Sequence, residues 1–377
     1  MCASNGGLYI KLGQHIAMLD YIVPEEYRQE LTSLLGQTPQ TSWESVRRVV
    51  KDELGDYPEN LFDSFSPKPI ASASLAQVHI AYKNGQKYAV KIQHEGLAES
   101  ATVDTLVITK LVAAINNLFE DFNYKWLTKE MNRNIPLELD FQSEKHNILK
   151  TTELLKEYIQ RGEVAVPHIE ESLCSRRVLT MSFEEGCYIT DKEQLQQLGL
   201  DRVKIGATIA KVFGELIFRH GFVHCDPHEA NLLVRRNPQN GHQIQVVLLD
   251  HGLYRQLDDS FRRDYCRLWQ GIALGNAVQI EHYCKNMHAG MLYTLLAAMI
   301  TQRPWDDIVS ADINRMKGRT ARAADAVMLQ AYTSRYLTRI IQLLNMVPSD
   351  MLLLFKTNDC LRHLDALLGA HTNSSAG

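Results

Sequence analysis

The sequence predicts an α+β chain of two lobes, a small β-rich lobe followed by a mostly helical one, and three observations predict it. Residues Ser74 to Tyr82 and Lys87 to Ile92 have β-friendly, alternating character on either side of Asn84-Gly85, a strong two-residue hairpin signal. Helical periodicity dominates what precedes and follows this hairpin. The length of 377 residues gives room for two cores, at roughly 100 to 200 residues per domain.

Taken in order, Pro24 opens a helix with Leu31, Leu34 and Leu35 on one face, ended by Gly36. Ser42 caps a second helix, which runs through Val46, Val49, Val50 and Leu54 to Gly55. The hairpin follows. Long helical patterns span Leu97 to Phe119 and Tyr124 to Tyr158, the latter interrupted by Pro136. Short strands are expected at Val164 to Ile169 and Arg177 to Ser182, with a connector at Met181 to Gly186 as the hinge between lobes. A helix is expected from Leu195 to His220, then strands Asn231 to Arg235 and Gln243 to Leu249 around an Asn240-Gly241 turn, then helices to about Gly369. A cleft between two lobes is where a ligand is expected.

Composition narrows the function classes. Hydrophobic residues make up 45% and charged residues 22%, the values of an ordinary folded domain and not of a disordered or fibrous chain. A net charge of −4 supplies no global positive field, so nucleic acid is not an expected partner. The longest nearly uncharged stretch, Ala289 to Thr301, falls short of the roughly 18 apolar residues of a spanning helix, so no transmembrane helix is expected in this chain. Met1 to Gly7 carries no targeting signature. The seven cysteines form no C-x-x-C pair, which leaves reduced thiols as the expectation.

The chemistry is concentrated in His224-Cys225-Asp226, Asn231 five residues after the aspartate, and Asp250-His251-Gly252 after a strand. This order and spacing match a kinase catalytic loop and metal motif. Mg²⁺ requires hard oxygen ligands near the phosphates, which makes Asn231 and Asp250 the metal candidates. A separate carboxylate must stand beside the incoming hydroxyl, which makes Asp226 the base candidate. Upstream, Tyr88-Ala89-Val90-Lys91 resembles the strand-borne lysine that contacts nucleotide phosphates, and its orienting carboxylate is sought among Glu138, Asp140 and Glu144. Where a glycine-rich loop would lie, the chain has Ala71-Ser72-Ala73-Ser74-Leu75-Ala76.

That alanine-rich loop, the Lys11-Leu12-Gly13-Gln14 stretch, the Glu138-Leu139-Asp140 triplet and the Asp226-Pro227-His228 loop together resemble the UbiB/ADCK (AarF-domain) family of atypical protein-kinase-like proteins over nearly the whole chain. The Asp250-His251-Gly252 motif is most similar to the mitochondrial ADCK branch outside the coenzyme-Q-dedicated members. The resemblance implies a bilobal protein-kinase-like fold: a helical extension over residues 1–66, an N-lobe with inserted helices over 67–186, and a helical C-lobe over 187–377. It implies ATP and Mg²⁺, with Ala71, Ser72, Ala73, Ser74, Lys91, Lys11, Gln14, Glu138 and Asp140 around the nucleotide, Lys11 facing Glu138 and Asp140, and Lys91 paired with Glu144. Catalytic roles fall to Asp226, Lys91 and Glu144. A mitochondrial location, ATP or ADP as ligand, and a membrane lipid or quinone-related small molecule as partner are likewise what the family implies.

The chain departs from the family pattern at Glu229-Ala230, where Pro-Gly is usual, and so places a third carboxylate close to the metal candidates. Three readings follow: a phosphotransferase or ATPase, a nucleotide-binding pseudokinase that regulates partners, and a small-molecule kinase of the aminoglycoside or choline type. The third lacks the alanine loop and the Lys-x-Gly-Gln stretch and ranks last. His220, His224, Cys225 and His228 have the residue types of a zinc site, but Gly221 and Pro227 break the helix that would align them.

Overall fold

The computed structural model describes residues 7–10, 13, 40–118, 125–241, 243–310 and 338–369. The expected helix from Pro24 to Gly36 lies outside the described residues. The chain forms two compact units, Met1–Thr151 with Val166–Glu184, and Thr152–Ala165 with Glu185–Gly377.

The first unit is built on a five-stranded sheet. Its strands are β1 (Ser64–Phe65), β2 (Ala71–Ser72), β3 (Ala76–Lys83), β4 (Gln86–Gln93) and, after an excursion into the second unit, β6 (Val178–Ser182). The order is β1-β3-β4-β6, with β2 also pairing with β3. Asn84 and Gly85 both take positive φ, 52° and 75°, the geometry whose twist suits a two-residue hairpin between β3 and β4. Helix α1 (Trp43–Leu54) begins at Ser42, whose hydroxyl accepts from Ser45 N–H, and ends at left-handed Gly55.

Alternation along β4 sends its side chains to two different layers. Tyr88, Val90 and Ile92 pack with Val46, Val49 and Val50 of α1. The other face, with Ala76, Leu179, Met181 and Ala89, packs against Phe141 and Ile148 of helix α4 (Phe141–Leu154). Two further helices precede it, α2 (Leu97–Leu118) and α3 (Lys125–Glu138). Pro136 lies inside α3 and does not end it. The chain breaks two residues after Glu138 instead, where Asp140 Oδ1 accepts from Gln142 N–H at 3.0 Å and starts α4. Leu8, Leu75, Leu97, Ala101, Met131 and Ile135 form a separate apolar cluster that ties residues near the N-terminus to the alanine loop.

The second unit holds a four-stranded sheet in the order β5-β10-β9-β7, from β5 (Val164–Ala165), β7 (Cys187–Tyr188), β9 (Leu232–Arg236) and β10 (Ile244–Leu248). A two-stranded ladder joins β8 (Phe222–His224) to β11 (Tyr254–Gln256). The single helix expected from Leu195 to His220 is divided. Gly199 takes φ +59°, Asp201 caps a new helix α5 (Arg202–Gly214), and a wider turn over Glu215–Arg219 carries the chain to His220. Helices α6 (Asp259–Ala273), α7 (Ala277–Asn286), α8 (Tyr293–Thr301) and α9 (Ser349–Leu368) follow, and Gly369, in the left-handed region, ends the last. Gly206, Ile209 and Ala210 of α5 face Leu361, Leu364 and Leu368 of α9. Among the described residues no helix is long and apolar enough to cross a membrane.

Candidate active site

The residues singled out in the sequence fall into two sets, one in each unit. In the first unit, Lys91 lies on the α4 side of β4, and its Nζ stands 2.9 and 2.8 Å from the two carboxylate oxygens of Glu144. Glu144 is 2% exposed and Lys91 18%. A carboxylate so enclosed is retained only when a charge-assisted partner meets it, which makes this pair the firmest electrostatic feature of the sheet. The Phe141 ring also approaches the ammonium, at 5.4 Å. Of the three acidic candidates, Glu144 is therefore the residue bonded to Lys91, while Asp140 caps α4 and Glu138 ends α3. Lys11 and Gln14 lie outside the described residues.

Ala71 and Ser72 form β2 and pair with Val78 and Gln77 of β3, so the alanine loop is a closed hairpin turn. Ala73 N–H donates to the Ala76 carbonyl at 2.8 Å. The Ala73 carbonyl accepts from His94 Nε2 at 2.9 Å, and His94 Nδ1 meets Thr41 Oγ1 at 2.5 Å. Because a carbonyl can only accept, Nε2 carries the proton and Nδ1 accepts from the threonine. Burial holds the His94 imidazole below its ordinary pKa, which suits this neutral form. Both backbone groups of Ala73 are thus engaged within the unit. Ser74 is buried. Sequence reasoning missed His94 and Thr41, which stand 53 residues apart and carry no local signature.

In the second unit, β8 delivers His224 and the loop after it delivers Asp226. The Asp226 carbonyl accepts from His228 N–H at 2.9 Å and from Asn231 Nδ2 at 3.0 Å, so the loop is folded upon itself. The β9–β10 hairpin then returns the chain: Leu232 pairs with Leu248, and Leu249 N–H donates to the Asn231 carbonyl at 3.0 Å. Through this register Asp250 follows directly on the residue whose N–H meets the Asn231 carbonyl. Asp250 Oδ1 accepts from Gly252 N–H at 2.9 Å, which fixes the carboxylate. The Asn231 amide nitrogen donates to the Asp226 carbonyl, which makes its oxygen the end suited to a cation.

An amide oxygen and a carboxylate are hard donors of the kind Mg²⁺ takes, together with water and phosphate oxygens. Among the described residues no group of three or more His, Cys, Asp and Glu is arranged to hold a metal. Two such donors would leave the rest of a Mg²⁺ shell to phosphate oxygens and water.

His224 is buried, with its pKa pushed down to about 4 by desolvation, against the pull of the Asp250 and Asp226 charges. Its ring packs 4.8 Å from Tyr254 and 5.7 Å from Phe213, and its Nδ1 accepts from Asp226 N–H. His251 is fully buried, with Nε2 near the Leu248 carbonyl and Nδ1 at 3.0 Å from Tyr254 Oη. Glu229 lies 3.9 Å from His363 of α9. His220, His224 and His228 are dispersed over a helix end, a strand and a loop, and Gly221 takes φ +60° between the first two.

The α+β frame of each unit and the residues it carries define the kinase-like class. Comparison with known proteins agrees. Residues 33–284 match the ABC1 atypical kinase-like domain. The chain is 40% identical to the AarF domain-containing protein kinase 1 of Gallus gallus over 378 residues, covering 100% of this chain and 71% of the relative. It is 40% identical to the protein of the same name from Mus musculus, covering 100% and 70%. Among solved structures, a Mycobacterium tuberculosis protein determined as the Rv3197-erythromycin complex has a TM-score of 0.53 at 21% identity, covering 94% of this chain and 90% of the other, a likeness of fold. This chain belongs to the ABC1 atypical kinase-like family, the UbiB/ADCK family of AarF-domain proteins.

Proposed function

We propose that this chain is an atypical phosphotransferase or ATPase that binds ATP with Mg²⁺. The observation that supports the reading is the β9–β10 register, in which Leu249 N–H meets the Asn231 carbonyl immediately before Asp250 and the loop from Asp226 to Asn231 is folded upon itself. Lys91, fixed by Glu144, would meet nucleotide phosphates, as strand-borne kinase lysines do. Asn231 and Asp250 would hold Mg²⁺, which when bound supplies neutralisation of charge on the phosphate oxygens.

Asp226 orients the acceptor hydroxyl, or water, and takes its proton. The acceptor oxygen bonds to the γ-phosphorus, the bridging bond to the β-phosphate breaks, and ADP leaves. The closed alanine turn, whose Ala73 N–H is already bonded to Ala76, supports a slow enzyme, because one backbone donor that a glycine loop offers to phosphates is engaged elsewhere. The process proposed is small-molecule or lipid-linked and mitochondrial, with a membrane lipid or quinone-related compound as partner, as the resemblance to the UbiB/ADCK family suggests.

The test is phosphate release from Mg-ATP by the purified chain, with and without membrane lipid vesicles or quinone-precursor-like phenols. Turnover that rises with one of these additions is the expected result. Nucleotide binding without turnover in any condition would favour the pseudokinase reading, and absence of both would overturn the proposal.

A further inference from the structure

The loop from Asp226 to Asn231 reads Asp-Pro-His-Glu-Ala-Asn and contains no Lys or Arg. Its only added charge, Glu229, is negative, so the catalytic candidate Asp226 receives no local cation from its own loop. The fold supplies one from the last described helix. Lys356 of α9 places Nζ 3.0 Å from Asp226 Oδ1, with the two side chains 18% and 19% exposed. The neighbouring residue fixes the helix to the strand that carries the loop: the buried Thr357 hydroxyl lies 3.1 Å from the His224 carbonyl, and 3.0 Å from Leu353 of its own helix. A second pair on the same helix, Arg255 of β11 with Asp350 at 3.9 Å, holds its beginning to the same ladder. The ammonium is therefore positioned by a helix docked at several points, not by a freely swinging surface lysine.

On the reading that Asp226 is the base, we propose that Lys356 is its positioning residue. It holds the carboxylate in one orientation, the role that an orienting partner plays for any general base. An ion pair with both members four-fifths shielded is stronger than an exposed one, and half of it left alone is costly. The C-terminal helix thereby becomes part of the candidate site, and a truncation that removes α9 would leave Asp226 without this partner.

The experiment uses the full chain with Mg-ATP and four variants: Lys356→Met, Lys356→Arg, Asp226→Asn and the Lys356→Met/Asp226→Asn double. Steady-state turnover of Lys356→Met should show kcat lower by about tenfold or more, with KM for ATP within about threefold of wild type, because Lys356 is not placed at the nucleotide. Lys356→Arg should recover most of the loss, since it restores the charge. Urea denaturation of all four provides a reading independent of activity: the midpoint shifts of the two single substitutions should fail to add in the double variant if the two side chains pair in solution.

Additive shifts, or a Lys356→Met kcat within twofold of wild type, or a Lys356→Arg no better than Lys356→Met, would overturn the assignment. A wild-type chain with no turnover while the urea cycle is non-additive would instead sink the phosphotransferase reading on which the role rests. The two failures are thus separable.

Discussion

Lys91 and Glu144 show how much a single pair decides. The carboxylate is almost wholly enclosed and both its oxygens face the ammonium. Lys91→Met should therefore destabilise the first unit by about 3 kcal/mol in urea denaturation, since it strands a buried charge, and Lys91→Met/Glu144→Gln should recover part of that loss. Asp250→Asn is expected to abolish the Mg²⁺ dependence of nucleotide binding with an unchanged far-UV circular dichroism spectrum, because a neutral amide is a poorer ligand than a carboxylate. Isothermal titration with ADP, with and without Mg²⁺, checks it, and wild-type affinity in the variant would remove Asp250 from the metal site.

His79 sets a pH dependence whose sign follows from its bonds. Gln77 Nε2 can only donate, so His79 Nε2 accepts at 2.9 Å, and the proton on Nδ1 is donated to the Ser66 carbonyl at 2.8 Å. Burial lowers the imidazole pKa, with the Ser66 bond opposing weakly. The unfolded chain takes up a proton near pH 6.5 that the folded one resists, so stability is full above that pH and declines as pH falls below it. His79→Gln should be less stable at pH 7.5 but show a shallower decline in stability between pH 6.5 and 5.5, measured by urea denaturation.

At the scale of elements, the alanine hairpin and α1 carry the sharpest expectations. Ser42→Ala removes the acceptor for Ser45 N–H and should cost about 1 kcal/mol. Ala73→Gly loosens a turn whose backbone groups are bonded to Ala76 and His94, and so frees conformations in which amide groups approach phosphate. It should raise ADP affinity or autophosphorylation; if neither changes, the turn is not the brake. The hairpin itself was fully legible beforehand, because Asn84-Gly85 and strand alternation act over a few residues. Other elements were less so. The helix expected from Leu195 to His220 is interrupted because Gly199 and the Asp201 cap end one helix and begin another. Strands β8 and β11 are three residues each, too short for a periodicity to register, and exist because they pair with each other.

For the whole molecule, Mg-ATP or Mg-ADP at a hundredfold excess over Kd should stabilise the chain by about 2.7 kcal/mol, visible as a thermal shift that EDTA removes. No shift with either nucleotide would count against the nucleotide reading as a whole. A uniform effect is also expected from the family-level departure at Glu229: Glu229→Pro/Ala230→Gly should leave the melting behaviour within a few degrees while changing nucleotide turnover, since Glu229 faces His363 at the surface and not the core.

What the sequence alone determined is the set of local signals: the hairpin turn, the cap at Ser42, the spacing of Asp226, Asn231 and Asp250, and the alanine loop standing where glycines would. Each depends on neighbours within a few residues, so it survives being read in one dimension. Tertiary structure brings Glu144 to Lys91, because β4 alternation points that side chain at α4, where both Glu144 oxygens meet the ammonium. It decided that Asp140 caps a helix, that His94 and Thr41 hold the alanine turn, and that Lys356 meets Asp226 from a helix far along the chain. These are encounters set by sheet register and helix packing, whose free energy comes from apolar burial spread over many residues, and no short stretch of sequence records which two polar side chains that burial will bring together.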